Sequence, residues 1–317
     1  MIQDSLGRTF KTLRISLTNT CNLACTYCVN DEVKDVKSDL KKETPLTIQE
    51  INQISIKLHK QLNLESVRLT GGEPTLFHEI VPLIKLLSKV GPKIKLTTNG
   101  FLLKNLITKL EKDDLHSINI SFDALDEDVF FQISKRRSVN KIIEGIEAAL
   151  SKGIEIKLNC VVINGLNTSQ IIPLMKFSNN RGIKIRFLEL MKMGHIYEGN
   201  FDSFYSEEQI LETITSKYNI EQIERTSSST ANYWKTSEGQ VFGIIANESS
   251  PFCHDCNRLR LDSYGNIYGC LSSNTPINIH QIIDNELIIA DKLNDALLQK
   301  QQVKFIGSNL SMLEIGG

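Results

Sequence analysis

Alternating apolar and polar residues recur along the chain as far as Leu190 and predict six strands. These are Leu13–Leu17, Ser66–Thr70, Lys93–Thr98, Ser117–Asp123, Ile154–Ile163 and Ile183–Leu190. Apolar residues at helical spacing lie between them and predict helices, most clearly over Thr47–Leu62, Glu79–Lys89, Lys141–Lys152 and Thr168–Asn179. Strands that alternate with helices pair in parallel through helical crossovers. The pattern therefore predicts an α/β fold, a partial (β/α)6 barrel of the TIM type.

One face of each predicted strand is polar, although parallel strands are usually apolar on both faces. The polar residues come in pairs spaced by two: Arg14 and Ser16, Arg68 and Thr70, Lys95 and Thr97, Asn119 and Ser121, Lys157 and Asn159, Lys184 and Arg186. This spacing places both members of a pair on the same face. A single such strand would indicate a solvated face, but six in series favour a barrel with a cationic interior. We expect that interior to hold an anionic, hydrogen-bonding ligand.

The pattern changes after Met191, which divides the chain into a barrel region, residues 1–192, and a C-terminal region, residues 193–317. Phe201–Tyr218 predicts a helix. Farther along, Arg258–Asp262 and Ile267–Cys270 predict the two strands of a hairpin, because Gly and Asn in the intervening Ser-Tyr-Gly-Asn suit a turn. That hairpin would carry Cys270 back towards Cys256.

Composition excludes several classes of protein. Across 317 residues, 36 Lys and Arg face 37 Asp and Glu, a formal net charge of −1, which argues against a nucleic-acid coat or a binder of anionic membranes. The first eleven residues contain no apolar run, and no stretch reaches the length of a membrane span. We therefore expect a cytoplasmic protein with neither a nucleic-acid nor a membrane partner.

Seven cysteines change this ordinary picture, because an odd number without an export signal fits a disulfide framework poorly. Cys21, Cys25 and Cys28 form a C-x3-C-x2-C group directly after the first predicted strand. Three thiolates on one short loop can bind three irons of a [4Fe–4S] cluster and leave the fourth iron open to a substrate or cofactor. Zinc is the main competitor, although it usually takes four protein ligands. Cys160 stands alone in an apolar run, where a core thiol is expected.

A second group, Cys253, Cys256 and Cys270, has the spacing C-x2-C-x13-C. His254 or Asp255 would complete a zinc site only awkwardly, since both lie inside the C-x2-C turn. Two groups of three cysteines fit two [4Fe–4S] clusters, each with one open iron.

The first cysteine group, with Tyr27 before its last cysteine, resembles the motif of the radical S-adenosylmethionine (SAM) enzymes. Gly71, Gly72 and Glu73 follow the second predicted strand and match the stretch that approaches the amino group of SAM in that family. The resemblance implies that the cluster binds SAM and cleaves it to a 5′-deoxyadenosyl radical. Positions that match contacts to SAM are Tyr27, Gly72, Glu73, Ser121 and Met191.

The second cysteine group resembles that of the GTP 3′,8-cyclase family, which catalyses the first step of molybdenum cofactor biosynthesis. The sequence also ends in Gly316-Gly317, as that family does, and family members thread this tail into the active site. The resemblance implies that GTP is the substrate and that its guanine binds at the second cluster. Implied contacts to GTP are Arg14, Arg68, Thr97, Lys157, Arg186, Arg258, Leu259 and Arg260, and Arg258 and Arg260 are also implied in catalysis. A cyclic pyranopterin monophosphate synthase is the implied downstream partner.

Two other functions stay open at this point. A radical SAM enzyme that modifies a peptide would have no affinity for GTP. A non-catalytic zinc-binding scaffold would contain zinc without iron or sulfide. The sequence does not identify the electron donor, and it leaves a homodimer as one of several oligomeric states.

Overall fold

The computed structural model describes residues 2–29, 44–197, 199 and 201–316. In this part of the chain, twelve strands form one sheet. The strands are β1 Thr12–Ser16, β2 Ser66–Thr70, β3 Lys93–Thr98, β4 Ser117–Ser121, β5 Glu155–Val161, β6 Lys184–Leu188, β7 Ile220–Ile223, β8 Asn232–Thr236, β9 Val241–Ile245, β10 Arg258–Leu261, β11 Asn266–Tyr268 and β12 Ile277–Asn278.

The helices lie mainly between the first six strands, where parallel pairing requires them. They are α1 Ile48–Leu62, α2 Ile80–Leu87, α3 Leu103–Ile107, α4 Glu127–Ser134, α5 Val139–Ser151, α6 Ile171–Asn179, α7 Glu207–Thr215, α8 Glu286–Leu298 and α9 Met312–Ile315. Strands β1 to β6 are parallel neighbours in sequence order, as the alternating pattern predicted. The prediction of a partial (β/α)6 barrel is confirmed.

The C-terminal region extends the sheet at both of its edges. Strand β10 pairs in parallel with β1, and the antiparallel strands β11 and β12 follow it outwards. At the other edge β9 pairs in parallel with β6, and β8 and β7 continue antiparallel. The hairpin predicted around residues 263–266 is present, and its first strand also lies directly beside the first strand of the chain.

Helix α7 is shorter than the predicted helix over Phe201–Tyr218. Ser206 and Gln209 form a capping box, in which the Ser206 hydroxyl accepts a hydrogen bond from the Gln209 amide. This box satisfies the first free amides and fixes the start of the helix at Glu207. Phe201 and Phe204 instead stack on each other ahead of the helix, with ring centroids 4.9 Å apart.

The two faces of the barrel strands differ as the sequence predicted. Leu13, Leu69, Leu96 and Leu158 are fully buried on the outer face, which packs against the helices. Cys160 belongs to this core and accepts a hydrogen bond from Asn167 Nδ2 at 3.7 Å, so the expectation of a core thiol is confirmed. None of the helices in the described ranges is both long and apolar enough to cross a membrane.

The polar face is continuous across the sheet because the strand register aligns its members. Arg14 lies opposite Arg68 on one side and Arg260 on the other. Farther round, Asn159 lies opposite Arg186. The structure therefore confirms the polar inner stripe and adds Arg260 from the C-terminal region to it.

Candidate active site

A cavity of about 320 Å³ opens on the polar face of the barrel, and both cysteine groups line it. The residues implied in binding or catalysis that line this cavity are Arg14, Cys21, Cys25, Tyr27, Cys28, Gly72, Glu73, Thr97, Ser121, Arg186, Met191, Cys253, Cys256, Arg258, Arg260 and Cys270. Its volume is in the range of small-molecule sites. The fold thus brings two cysteine groups, more than 220 positions apart in the sequence, to one enclosed space.

The first cysteine loop follows β1 and is fixed to the end of α4 by its backbone. The amides of Ala24 and Thr26 donate to the carbonyls of Ser134 and Ile133, each at 3.0 Å. Tyr27, between the last two cysteines, donates its phenol to Asp123 Oδ2 at 2.8 Å. These bonds hold the loop with its three thiols on the cavity wall.

Burial dominates the electrostatics of this loop. It raises the pKa of the Cys25 thiol well above its usual value, and the Asp123 carboxylate raises it further. Burial and the neighbouring Cys21 raise the pKa of Cys28 to about 12. These thiols are therefore neutral at pH 7 until a metal takes the place of the proton, as metal binding by cysteine requires.

Gly71 and Gly72 are required by a close approach of backbone to backbone. A Cβ on Gly71 would lie 2.6 Å from the carbonyl oxygen of Thr18, and one on Gly72 would lie 2.4 Å from that of Thr20. The Gly72 amide donates to Thr18 O at 2.6 Å. The two glycines thus pack the turn after β2 against the segment that leads into Cys21, a structural reason that the family resemblance did not supply.

Glu73 is buried, and protein donors already surround its carboxylate. Its Oε1 accepts from the hydroxyls of Thr75 and Thr98, each at 2.6 Å, and its Oε2 accepts from the amide of Asn99 at 2.7 Å. Burial raises its pKa, while these hydrogen bonds favour the charged form. Glu73 therefore ties the ends of β2 and β3 together and places a carboxylate on the cavity wall beside the first cysteine loop.

The second cysteine loop is held by cations. Arg8 donates through Nη1 to the carbonyls of Cys253, at 2.7 Å, and Gln301, at 2.6 Å. Cys256 Sγ accepts from Arg258 Nη1 at 3.3 Å and from Lys300 Nζ at 3.4 Å. Although burial acts in the opposite direction, the charges of Arg258 and Lys300 lower the pKa of Cys256 to about 6.

The arginines of the polar stripe lack acidic partners. Among the described residues, no carboxylate forms an ion pair with any of Arg14, Arg68, Arg186, Arg258 and Arg260. Within the same part of the chain, the buried atoms Arg14 Nε and Arg186 Nη2 have no hydrogen-bond partner. Burial and the charges of Arg260 and Arg258 lower the pKa of Arg14. Buried cations without acidic partners indicate a site for a multiply charged anion.

Three implied GTP contacts, Arg68, Lys157 and Leu259, are not among the residues that line the cavity. Arg68 donates to the Leu96 carbonyl at 3.0 Å and to Thr97 Oγ1 at 3.4 Å. Lys157 pairs with Glu155 at 2.6 Å, near the amino end of β5. The Leu259 side chain is fully buried in the apolar core, so only its backbone is on the sheet near the two flanking arginines.

Arg8, Lys300 and Asn247 line the cavity but were not among the candidate site residues. Asn247 Nδ2 donates to the sulfur of Met191 at 2.9 Å and so fixes that side chain at the cavity. Lys300 is buried, and its ammonium lies 4.9 Å from the centre of the Phe10 ring. Asn247 and Lys300 belong to no periodic pattern or motif, so no local signal in the sequence could have singled these two out.

The six thiols fit two clusters by their donor chemistry and placement. In a [4Fe–4S] cluster each thiolate binds a different iron, so the three thiols of a group need not surround one point. Across the described residues, no three His, Cys, Asp or Glu side chains are arranged to hold a single metal ion. All six cysteines line the same cavity.

Comparisons with known proteins match the two parts of the chain. The family model of the radical SAM superfamily matches residues 15–178, and that of Molybdenum Cofactor Synthesis C matches residues 183–306. A GTP 3′,8-cyclase of Staphylococcus epidermidis is 38% identical over 292 residues, which cover 90% of this chain and 86% of that protein. A GTP 3′,8-cyclase of Synechocystis sp. is 36% identical over 277 residues, which cover 87% of this chain and 83% of that protein.

Solved structures share the fold at low sequence identity. SuiB of Streptococcus suis, bound to its precursor peptide SuiA, superposes with a TM-score of 0.66 at 17% identity over 87% of this chain. The match covers 64% of SuiB, so this chain spans less than two thirds of that protein. Native anSMEcpe with bound AdoMet superposes with a TM-score of 0.63 at 17% identity, and the match covers 92% of this chain and 84% of anSMEcpe.

Proposed function

The chain belongs to the radical SAM superfamily and, within it, to the family of GTP 3′,8-cyclases, and on that premise we propose that it converts GTP to 3′,8-cyclo-7,8-dihydro-GTP. This is the first step of molybdenum cofactor biosynthesis. One observation supports the assignment above the rest: two cysteine groups and a set of arginines without acidic partners line the same cavity. A cluster, its cofactor and a triphosphate can therefore meet there.

The cofactors are S-adenosylmethionine and two [4Fe–4S] clusters. Cys21, Cys25 and Cys28 would hold the first cluster, and the second would be held by Cys253, Cys256 and Cys270. When bound, the first cluster and SAM would supply a 5′-deoxyadenosyl radical that takes the hydrogen atom from ribose C3′, and the C3′–C8 bond formed in its place would leave a radical that one electron from the reductant and one proton convert to the dihydro product. Tyr27, Gly72, Glu73, Ser121 and Met191 form the wall around SAM. Of these, Glu73 provides the negative charge that an ammonium group requires.

Arg14, Arg186, Arg258 and Arg260 bind the GTP anion in this proposal. Arg14 and Arg260 lie opposite each other in register on β1 and β10, so their guanidinium groups form one cationic patch. Arg260 Nη1 donates to the carbonyl of Gly316, so Gly316 lies beside this patch. Gly317 lies outside the described residues. Thr97 lines the same wall and accepts from Arg68, so Arg68 acts on GTP through Thr97 rather than directly.

The function is tested by anaerobic incubation of the reconstituted enzyme with GTP, SAM and dithionite. We expect 5′-deoxyadenosine and a cyclised nucleotide in equal amounts, and about eight irons per chain for two clusters. Formation of deoxyadenosine with unchanged GTP would overturn the substrate assignment. A peptide-modifying enzyme would show no binding of GTP at all, and a zinc scaffold would contain neither iron nor sulfide.

The proposal extends to the proteins that act before and after this enzyme. The cyclised triphosphate is the substrate that a cyclic pyranopterin monophosphate synthase consumes in the family's pathway, so we propose that enzyme as the downstream partner. Combining the two purified proteins should convert GTP beyond the cyclised nucleotide, and accumulation of that nucleotide would contradict the partnership.

A further inference from the structure

A Ser/Thr-rich loop, residues 226–230, lies over the second cysteine loop and is fixed to it by an ion pair. Arg225, directly before this loop, binds Asp255 with both ends of its guanidinium. Nη1 lies 2.7 Å from Oδ2 and Nη2 lies 2.8 Å from Oδ1. Both side chains are largely buried, with 22% and 18% of their surfaces exposed. A bidentate pair with this much burial has a fixed geometry, in contrast to a typical surface ion pair.

The backbone of the loop completes this attachment. The Ser228 amide donates to Asp255 Oδ2 at 2.7 Å, and the Ser228 hydroxyl donates to the Asp255 carbonyl at 2.9 Å. Arg225 Nη2 also donates to the carbonyl of Ser229 at 2.6 Å. Ser228 has a φ of 61°, a left-handed backbone conformation that residues other than glycine rarely adopt. Its surroundings therefore hold this residue against its own backbone preference.

The loop also contacts Arg258, one of the arginines that line the cavity. The carbonyl of Ser228 accepts from Arg258 Nη2 at 2.9 Å, while Arg258 Nη1 donates to Cys256 Sγ. The guanidinium carbon also lies 5.1 Å from the centre of the Phe252 ring. In the part of the chain that the structure describes, Arg258 forms no ion pair with a carboxylate. Two acceptors, the Cys256 sulfur and the Ser228 carbonyl, therefore orient the Arg258 guanidinium, and the second depends on the position of the loop.

We propose that Arg225 and Asp255 are positioning residues that hold Ser228 against Arg258 and thereby set the affinity of the cavity for GTP. This inference rests on the proposed function, since it takes the nucleotide to be the anion that Arg258 meets. Neither Arg225 nor Asp255 lines the cavity, and their contacts reach it through Ser228 and Arg258 beside the second cysteine loop, so we expect the pair to affect GTP binding and not SAM binding. Thr230, at the end of the same loop, lines the cavity, which makes the loop part of the nucleotide wall.

The test compares Arg225→Met and Asp255→Asn with wild type and with Arg181→Met in the reconstituted holoenzyme. Arg181 pairs with Glu147 through one nitrogen at 2.7 Å, and neither of these residues lines the cavity, so Arg181→Met serves as the control for loss of an ion pair. Asp255→Asn keeps the shape and one acceptor oxygen but removes the charge. Calorimetric titration should show about 10-fold weaker GTP binding in both Arg225→Met and Asp255→Asn, unchanged SAM binding in both, and no change for either ligand in Arg181→Met. Arg225→Lys should restore part of the affinity.

Two further measurements separate this role from a general loss of stability. In the double variant, the loss of GTP affinity should equal that of one single variant, because the two residues act as one unit. Hydrogen exchange of the Ser228 amide should speed up in Asp255→Asn. Equal losses of GTP and SAM affinity, or GTP affinity within about two-fold of wild type in both variants, would overturn the inference. If wild type itself fails to bind GTP, the proposed function fails. Unchanged hydrogen exchange of the Ser228 amide in Asp255→Asn would separately overturn the role of Asp255 in holding Ser228.

Discussion

The two cysteine loops have the same number of thiols but opposite electrostatic surroundings. The first loop lies beside the carboxylates of Asp123 and Glu73, and burial raises the pKa of its thiols, in Cys28 to about 12. The second lies among Arg8, Arg258 and Lys300, and the last two lower the pKa of Cys256 to about 6 against the effect of burial, whereas burial raises the pKa of Cys253 in the same loop to about 11. Spacing alone does not show this difference.

This contrast is the basis on which we propose a different ligand for the wall beside each cysteine loop. A wall with carboxylates favours a ligand that carries an ammonium and a sulfonium charge, as SAM does. A wall with unpaired arginines favours a nucleotide triphosphate. The two loops are therefore specialised by the charges that surround them, and each charge that is removed should affect one ligand only.

The largest effect should come from replacing one thiol in each loop. Cys25→Ser should abolish formation of 5′-deoxyadenosine with or without GTP, because the first cluster loses a ligand. Cys256→Ser should abolish the cyclised nucleotide but leave slow cleavage of SAM. Chromatography of both products measures the two outcomes. Loss of SAM cleavage in both variants would show that the loops are not separate in function.

Arg14→Met tests the cationic end. We expect GTP binding to weaken by about 1.5–3 kcal/mol, roughly 10- to 150-fold in Kd, because one charged hydrogen-bond donor is lost. SAM binding should not change. The melting temperature should stay the same or rise, since the substitution relieves repulsion from Arg258 and Arg260. Arg137→Met is the control, because Arg137 pairs with Asp128 on the surface. A weaker affinity for SAM would contradict the assignment.

Glu73→Gln tests the other end, and its effect should be smaller. The amide cannot accept all the hydrogen bonds that Thr75, Thr98 and Asn99 donate to the carboxylate, so unfolding should become easier by about 1–3 kcal/mol. SAM binding should weaken by roughly 10-fold and GTP binding should not change. Denaturant titration and calorimetry provide the two measurements. Equal losses of affinity for SAM and GTP would contradict the proposal that Glu73 binds SAM.

The smallest perturbation is a change of pH in the metal-free protein. Alkylation of Cys256 should reach half its maximal rate near pH 6, whereas Cys28 should need a pH far above 9. Because the pKa of Cys256 is lower in the fold than the value of about 8.5 in an unfolded chain, its thiolate stabilises the fold above that pH. This contribution is lost as the pH falls through about 6. Mass spectrometry of labelled peptides measures both midpoints, and equal midpoints would contradict the comparison.

The inner stripe could be predicted from sequence because a period of two fixes the face of a strand. Arg14, Thr97 and Arg186 lie where that period placed them. The same rule predicts the face on which Lys157 lies but not its position along the strand. Lys157 lies near the amino end of β5, where its ammonium pairs with Glu155. Leu259 shows the converse, since it alternates with Arg258 and Arg260 and therefore faces the core.

Long-range partners could not be predicted. Arg8 lies 245 positions before the Cys253 carbonyl that it binds, and Lys300 lies 44 positions after Cys256. Local periodicity contains no information about such pairs. The predicted helix over Phe201–Tyr218 was too long for a related reason. Its apolar spacing continues through Phe201 and Phe204, whereas the capping box at Ser206 and Gln209 determines where the helix begins.

The pairing of β1 with β10 has a consequence for how the protein is made. On a ribosome, β1 is synthesised about 246 residues before Arg258 emerges, which takes roughly 10–50 s at ordinary elongation rates. During that time the β1 edge that will later pair with β10 exposes free amides and carbonyls, the arrangement that invites pairing with other chains. The β1 edge of the nascent protein therefore stays unpaired until β10, which follows Cys253 and Cys256, has been synthesised.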